Sequence, residues 1–115
     1  TVKTVGIGAF ENCTELKDIS LPTTLTEINY YTFSGCTSLT TLTLHSKLTA
    51  INNYAFAGCK SLTEIHCKNS NPPLIGENTF RDVNRIGCKI FVPSKRAKKS
   101  YSTALYWNEF TIYIE

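Results

Sequence analysis

The sequence predicts an α/β solenoid: a stack of 23-residue units with short parallel strands, 3₁₀ or helical turns opposite them, and a C-terminal helix and strand as a cap. Three observations predict it. Seven apolar or small positions recur every 23 residues across three units, one short segment of each unit alternates polar with apolar residues, and residues 94–115 leave the repeat for a helical pattern and a final strand.

The repeat register follows from those seven positions. Val2, Leu25 and Leu48 correspond, as do Val5, Ile28 and Ile51; Phe10, Phe33 and Phe56; Cys13, Cys36 and Cys59; Leu16, Leu39 and Leu62; Ile19, Leu42 and Ile65; and Leu21, Leu44 and Cys67. A fourth, altered unit follows the Pro72-Pro73 break with Phe80, Val83, Ile86, Ile90 and Val92, Val83 standing at the cysteine position and one residue inserted before the strand. The units are read as 1–24, 25–47, 48–71 and 72–93, with the cap at 94–115, all in one domain of a larger protein.

Within the units, DISL (18–21), TLTL (41–44) and EIHC (64–67) alternate with the period of a half-buried strand, one per unit in a parallel sheet. The stretch before each strand, such as residues 55–62, spaces its apolar residues at i, i+3 and i+6, which suits a 3₁₀ or helical turn. Leu25-Thr26-Glu27-Ile28 and its equivalents supply a second short strand. No unit buries its own apolar set, so the Phe, Leu and Ile columns must form a core shared between stacked units.

In the cap, Ser94 is the expected N-cap after Pro93, and Ala97, Tyr101, Ala104 and Leu105 fall on one helix face opposite Lys95, Arg96, Lys98 and Lys99. Trp107 and Phe110 then lead into Thr111-Ile112-Tyr113-Ile114, which covers the open edge of the sheet. At the other end the chain enters at Val2 inside a recognisable unit, so further repeats or another domain are expected before Thr1.

Composition bounds the function. The chain has 115 residues, 42% hydrophobic and 18% charged, in the ordinary globular range. The net charge is +3, with five Lys/Arg and five acids in residues 1–68 against seven and four in 69–115, which places the basic excess in the C-terminal part. No apolar run has the roughly 18 residues of a membrane span, and no secretory signal pattern is present. GxGxxG, P-loop, HExxH and GxSxG motifs are missing, so no motif supports an enzyme or a cofactor.

The pattern INNYAFAGCKSLTEIHC (51–67) resembles the BspA-like subclass of bacterial leucine-rich repeat proteins, and the resemblance covers nearly the whole chain. The last part is similar to that family's terminal unit in Pro72-Pro73, Phe91-Val92-Pro93, Tyr101 and Trp107-Asn108-Glu109-Phe110. It departs from the pattern at NTFRDV (78–83), where Val83 replaces the cysteine, and at Cys67, where an aliphatic residue is expected. The resemblance implies a leucine-rich repeat fold in a secreted or surface-displayed protein whose repeats mediate adhesion to host or matrix molecules, with no catalytic residue to carry over.

Several clusters invite chemistry. Stacked cysteines one rung apart stand about 4.8 Å from each other with parallel side chains, whereas a disulfide needs converging Cβ atoms near 3.8 Å. Buried free thiols bonded to loop carbonyls are the expected state. Pairing Cys67 with Cys88 would need another register, and a straight ladder of three thiols does not offer zinc its tetrahedron. Asn12-Cys13-Thr14 matches a glycosylation sequon, but its cysteine belongs to the buried column.

The outward strand positions form the candidate ligand face: Thr43, Glu64, His66, His45, Lys68, Lys89 and Phe91. An exposed Phe91 beside His66 is its best contact pair. His45, His66 and Glu64 on one face would put the two imidazoles a diagonal step of about 7–8 Å apart, long for a shared ion or an acid–base pair, so no metal site follows. Lys95, Arg96, Lys98 and Lys99 are the candidate contact for an anionic polymer.

The reading is a non-enzymatic, monomeric module that binds a protein or a glycan. A purely structural C-terminal closure and an anionic-polymer binder are the rival readings. Neither a nucleic-acid partner nor membrane insertion is expected. Four rungs at about 4.8 Å by three side chains at about 3.3 Å give a face of only about 200 Å², against roughly 800 Å² per partner in a stable interface.

Overall fold

The short alternating segments pair across units. In the computed structural model, which describes residues 6–115, β1 (Asp18–Ser20), β3 (Thr41–Leu44), β5 (Glu64–Cys67) and β7 (Lys89–Val92) form a parallel sheet, joined at the edge by β8 (Thr111–Ile114) in the order β1-β3-β5-β7-β8. Asp18 pairs with Thr41 and Thr41 with Glu64, each partner 23 residues on, and Glu64 pairs with Lys89. A second parallel sheet joins the two-residue strands β2 (Glu27–Ile28), β4 (Ala50–Ile51) and β6 (Leu74–Ile75). Val2 and Val5 lie outside the described residues.

The remaining side of each unit is a run of turns. Tyr54 to Ala57, Phe56 to Cys59 and Cys59 to Leu62 are each closed by an i+3 amide to an i carbonyl at 3.2–3.3 Å. Left-handed residues at Tyr54 and Gly58 interrupt them, so they do not fuse into a helix. Rung-to-rung bonds tie this side together: the amides of Phe10, Phe33 and Phe56 donate to the carbonyls of Thr32, Ala55 and Thr79 at 2.8–2.9 Å. On this side of the units Tyr31 and Tyr54 hold left-handed backbone, at a cost on the order of 1 kcal/mol each.

The core runs along the stack axis. Leu42, Ile65 and Ile90 of one column and Leu44, Cys67 and Val92 of another have no exposure. Beside them the rings of Phe10, Phe33, Phe56 and Phe80 stack at 5.4, 5.3 and 5.5 Å with 6–10° between planes. Phe33, Phe56 and Phe80 are buried, while Phe10, on the first described rung, is half-exposed.

After β7, Ser94 Oγ accepts from the Ala97 amide at 3.1 Å and starts α1 (Lys95–Thr103), whose buried residues are Ala97 and Tyr101. Two buried bonds fasten the segment to the stack: Tyr101 Oη donates to the Asn69 carbonyl at 3.0 Å, and Trp107 Nε1, in a 3₁₀ turn over Trp107–Glu109, donates to the Pro73 carbonyl at 2.8 Å. Two core expectations fail. The helix ends at Thr103 with Ala104 extended, so Leu105 leaves the apolar face and is 69% exposed. Ile86 is 90% exposed because Asn84 Oδ1 gathers the amides of Ile86 and Gly87 into a local turn, and Cys88 is buried instead.

Candidate recognition face

Alternation in the long sheet turns Thr41, Thr43, Glu64, His66, Lys89 and Phe91 outward, and all remain partly or fully exposed. The parallel register lays His66 opposite Phe91 and Phe91 opposite Tyr113. Their rings stack across three strands, His66 on Phe91 at 4.8 Å and Phe91 on Tyr113 at 5.7 Å. The Lys89 ammonium lies 5.7 Å from the centre of the Tyr113 ring, a cation–π distance.

Charge brackets this aromatic row. His66 Nε2 meets Glu64 Oε1 at 2.9 Å, His66 Nδ1 meets Glu115 Oε1 at 2.7 Å, and Lys68 Nζ meets Glu115 Oε2 at 3.4 Å. A carboxylate has no proton to give, so both ring nitrogens donate only when the imidazole carries two protons. Partial desolvation acts to raise the Glu115 carboxyl, but the hydrogen bond and charge of His66, with Lys68 behind them, outweigh it and hold the group below its ordinary 4.5. The carboxylates bond the imidazole rather than converging with it on a point, and among the described residues no group of three or more His, Cys, Asp or Glu is placed to hold a metal.

His45 is a correction. β3 ends at Leu44, so the alternation that would point His45 outward stops one residue earlier. Its ring turns inward, 8% exposed, and Nδ1 accepts from the Lys47 amide at 3.1 Å. The His45-His66-Glu64 cradle therefore does not form. Tyr113 and Glu115 take the place of His45 on the face, and the alternation within TIYI was the signal available for Tyr113.

The family now follows from most of the chain. A model of the BspA type leucine rich repeat region, described in six copies, matches residues 1–108. The chain belongs to that family. No curated protein matches it. Proteins built from this repeat are in general non-enzymatic binding modules, which fits a face of side-chain ladders.

The other candidate of this BspA-type chain, Lys95, Arg96, Lys98 and Lys99, is exposed along α1. A hollow of about 540 Å³ is lined by Cys13, Thr14, Glu15 and Leu16, none of them a candidate ligand residue. Among the described residues no helix is long and apolar enough to cross a membrane.

The five cysteines are free. Cys36 Sγ donates to the Phe10 carbonyl at 3.3 Å and Cys59 Sγ to the Phe33 carbonyl at 3.2 Å, each thiol bonding the preceding rung. Burial, reinforced by the neighbouring Cys36, pushes the Cys59 thiol up to about 12, and burial likewise carries Cys67 and Cys88 to about 12. Thiols held protonated at neutral pH are poor nucleophiles and poor metal ligands, so they act as small core groups.

Proposed function

We propose that this chain is a non-enzymatic recognition module of adhesion type, from a bacterial surface or secreted protein, that presents the outer face of its five-stranded sheet to a protein partner. The observation that carries the proposal is the partly exposed His66-Phe91-Tyr113 row with Glu64, Lys68, Lys89 and Glu115 around it. An aromatic centre with a charged rim is the usual anatomy of a protein contact. A protein is favoured over a glycan because the rings stack face to face across the strands. Their flat faces cover one another, leaving mainly edges for a ligand.

The face is Thr43, Glu64, His66, Lys68, Lys89 and Phe91 with Tyr113 and Glu115 added. A fifth strand widens the estimate to about 240 Å², still well under a stable interface. The isolated chain should therefore bind weakly, with dissociation constants in the micromolar range or above, and gain affinity with further repeats. The test is surface plasmon resonance at physiological salt over immobilised extracellular-matrix proteins, with a glycan array in parallel. Saturable binding to a protein that Phe91→Ala and Tyr113→Ala each weaken supports the proposal. Capture by the glycan array alone refutes it.

A second reading has its own observation. Units 1–24, 25–47, 48–71 and 72–93 are followed by a cap, 94–115, whose Tyr101 and Trp107 anchors bond the Asn69 and Pro73 carbonyls. On this reading the segment closes a longer array and ligand contacts lie in other repeats. Intact ligand binding by a parent chain carrying both face substitutions would favour closure.

A further inference from the structure

The turn side of the stack carries exposed aromatics that the strand face does not use. Tyr31 and Tyr54 occupy equivalent positions in consecutive rungs, with left-handed backbone at φ 60° and 64°, and their rings stack at 5.1 Å with 4° between planes. The equivalent position one rung earlier is Gly8, at φ 67°. Its amide donates to the Tyr30 carbonyl at 3.0 Å, which sets it beside the Tyr30-Tyr31 peptide. One face of Tyr31 is covered by Tyr54, and the other looks toward a glycine.

Among the described residues no second ring stands at that step of the ladder. Among the described residues the atoms nearest a Cβ placed on Gly8 all belong to the Glu11 side chain, so Tyr31 does not lean in over Gly8, and Tyr31 stays 40% exposed. Rungs are spaced by about 4.8 Å. The Tyr31–Tyr54 step holds two rings, whereas among the described residues the Gly8–Tyr31 step holds one, with only the flexible Glu11 side chain lying over Gly8.

The surrounding charge selects the group. Glu11 Oε1 lies 3.0 Å from the position of that Cβ, at the border of the gap. Among the described residues the Glu11 carboxylate has no hydrogen-bond or ion-pair partner. The face of an aromatic ring is its electron-rich side, and the free carboxylate adds a full negative charge. A planar cation answers both, stacking on the ring while its N–H groups reach the carboxylate. A sugar ring would leave the charge unanswered, and an ammonium would leave the flat space unfilled.

We propose that Gly8, Glu11 and Tyr31 form a notch for an arginine side chain of a protein partner, its guanidinium stacked on Tyr31 and paired with Glu11. The notch lies on the turn side, away from the His66-Phe91-Tyr113 row, so the failure of either site leaves the other standing.

The test is an NMR titration of the whole chain, following the Tyr31 ring signals. The probes are end-blocked Gly-Arg-Gly, Gly-Lys-Gly and lactose. The expected result is a saturable shift of Tyr31 with the arginine peptide, weaker with the lysine peptide and absent with lactose. Glu11→Gln should weaken binding by roughly two- to fivefold. Gly8→Tyr adds a third ring at a backbone angle that Tyr31 and Tyr54 already hold, with only the flexible end of Glu11 to displace, and it should abolish the shift at an unchanged melting temperature. No saturable shift, an equal response to lactose, or unchanged binding in Gly8→Tyr would overturn the proposal. Should Gly8→Tyr fold poorly, the exposed Glu11→Gln decides: unchanged affinity there also overturns it.

Discussion

The inner ladder Phe33-Phe56-Phe80 and the outer ladder His66-Phe91-Tyr113 are both rows of rings along the stack, the outer one completed by β8, and they differ in what surrounds them. Inner rings stand 5.3–5.5 Å apart and are buried; outer rings stand 4.8–5.7 Å apart and are partly exposed, with charged groups at hand. Stacking units produces rows of side chains wherever a position repeats. Removal from water turns the inner row into stability, whereas access to water leaves the outer row available for a partner.

The largest expected effect tests the inner row. Phe56→Ala should cost about 3–5 kcal/mol in urea unfolding, because it opens a cavity between two rungs that cannot collapse independently. Phe91→Thr should cost about 1 kcal/mol or less. Equal losses at the two positions would break the comparison.

Trp107→Phe sharpens it at the C-terminal end. The indole N–H is the donor to the Pro73 carbonyl in a buried contact, and removing it should cost about 1–3 kcal/mol in the same measurement. A negligible loss would mean that this segment is only loosely attached.

Acid should act on the outer cluster. The folded Glu115 carboxyl is lowered, so its contribution to stability is present above its ordinary 4.5 and is lost as the pH falls through the lowered value. Melting of the wild type from pH 6 to pH 3 should fall further than that of Glu115→Gln; identical curves would count against the His66–Glu115 pair. The thiols respond at the other end of the scale. Cys59, Cys67 and Cys88 keep their protons up to about 12 when folded, so stability should decline as the pH rises above the ordinary 9 of a thiol. A thiol reagent at pH 8 should find the half-buried Cys13 first and Cys36, Cys59, Cys67 and Cys88 only on unfolding.

The smallest change in stability per residue belongs to α1. Neutralising Lys95, Arg96, Lys98 and Lys99 together should move unfolding by no more than about 0.5 kcal/mol per site. Heparin retention that falls with salt and vanishes in this variant would support the anionic-polymer reading.

The core was legible because a solenoid repeats its burial. Ile19, Leu42, Ile65 and Ile90 form one register column, and the sequence spacing places them there unaided. Errors arose where the repeat stops. His45 stands one residue beyond its strand, Leu105 two beyond its helix, and Ile86 in a turn shaped by Asn84. Tyr113 and Glu115 were missed as members of the face because β8 lies outside the repeat. Its register against β7 depends on how α1 returns the chain to the sheet, which no 23-residue period encodes.

The most direct test of the central claim is a pair of readings on one variant, His66→Thr with Phe91→Thr. Melting temperature and binding to the matrix protein captured by the wild type are measured side by side. Binding should be lost while the melting temperature stays within a few degrees of the wild type. Binding retained at wild-type strength would contradict it.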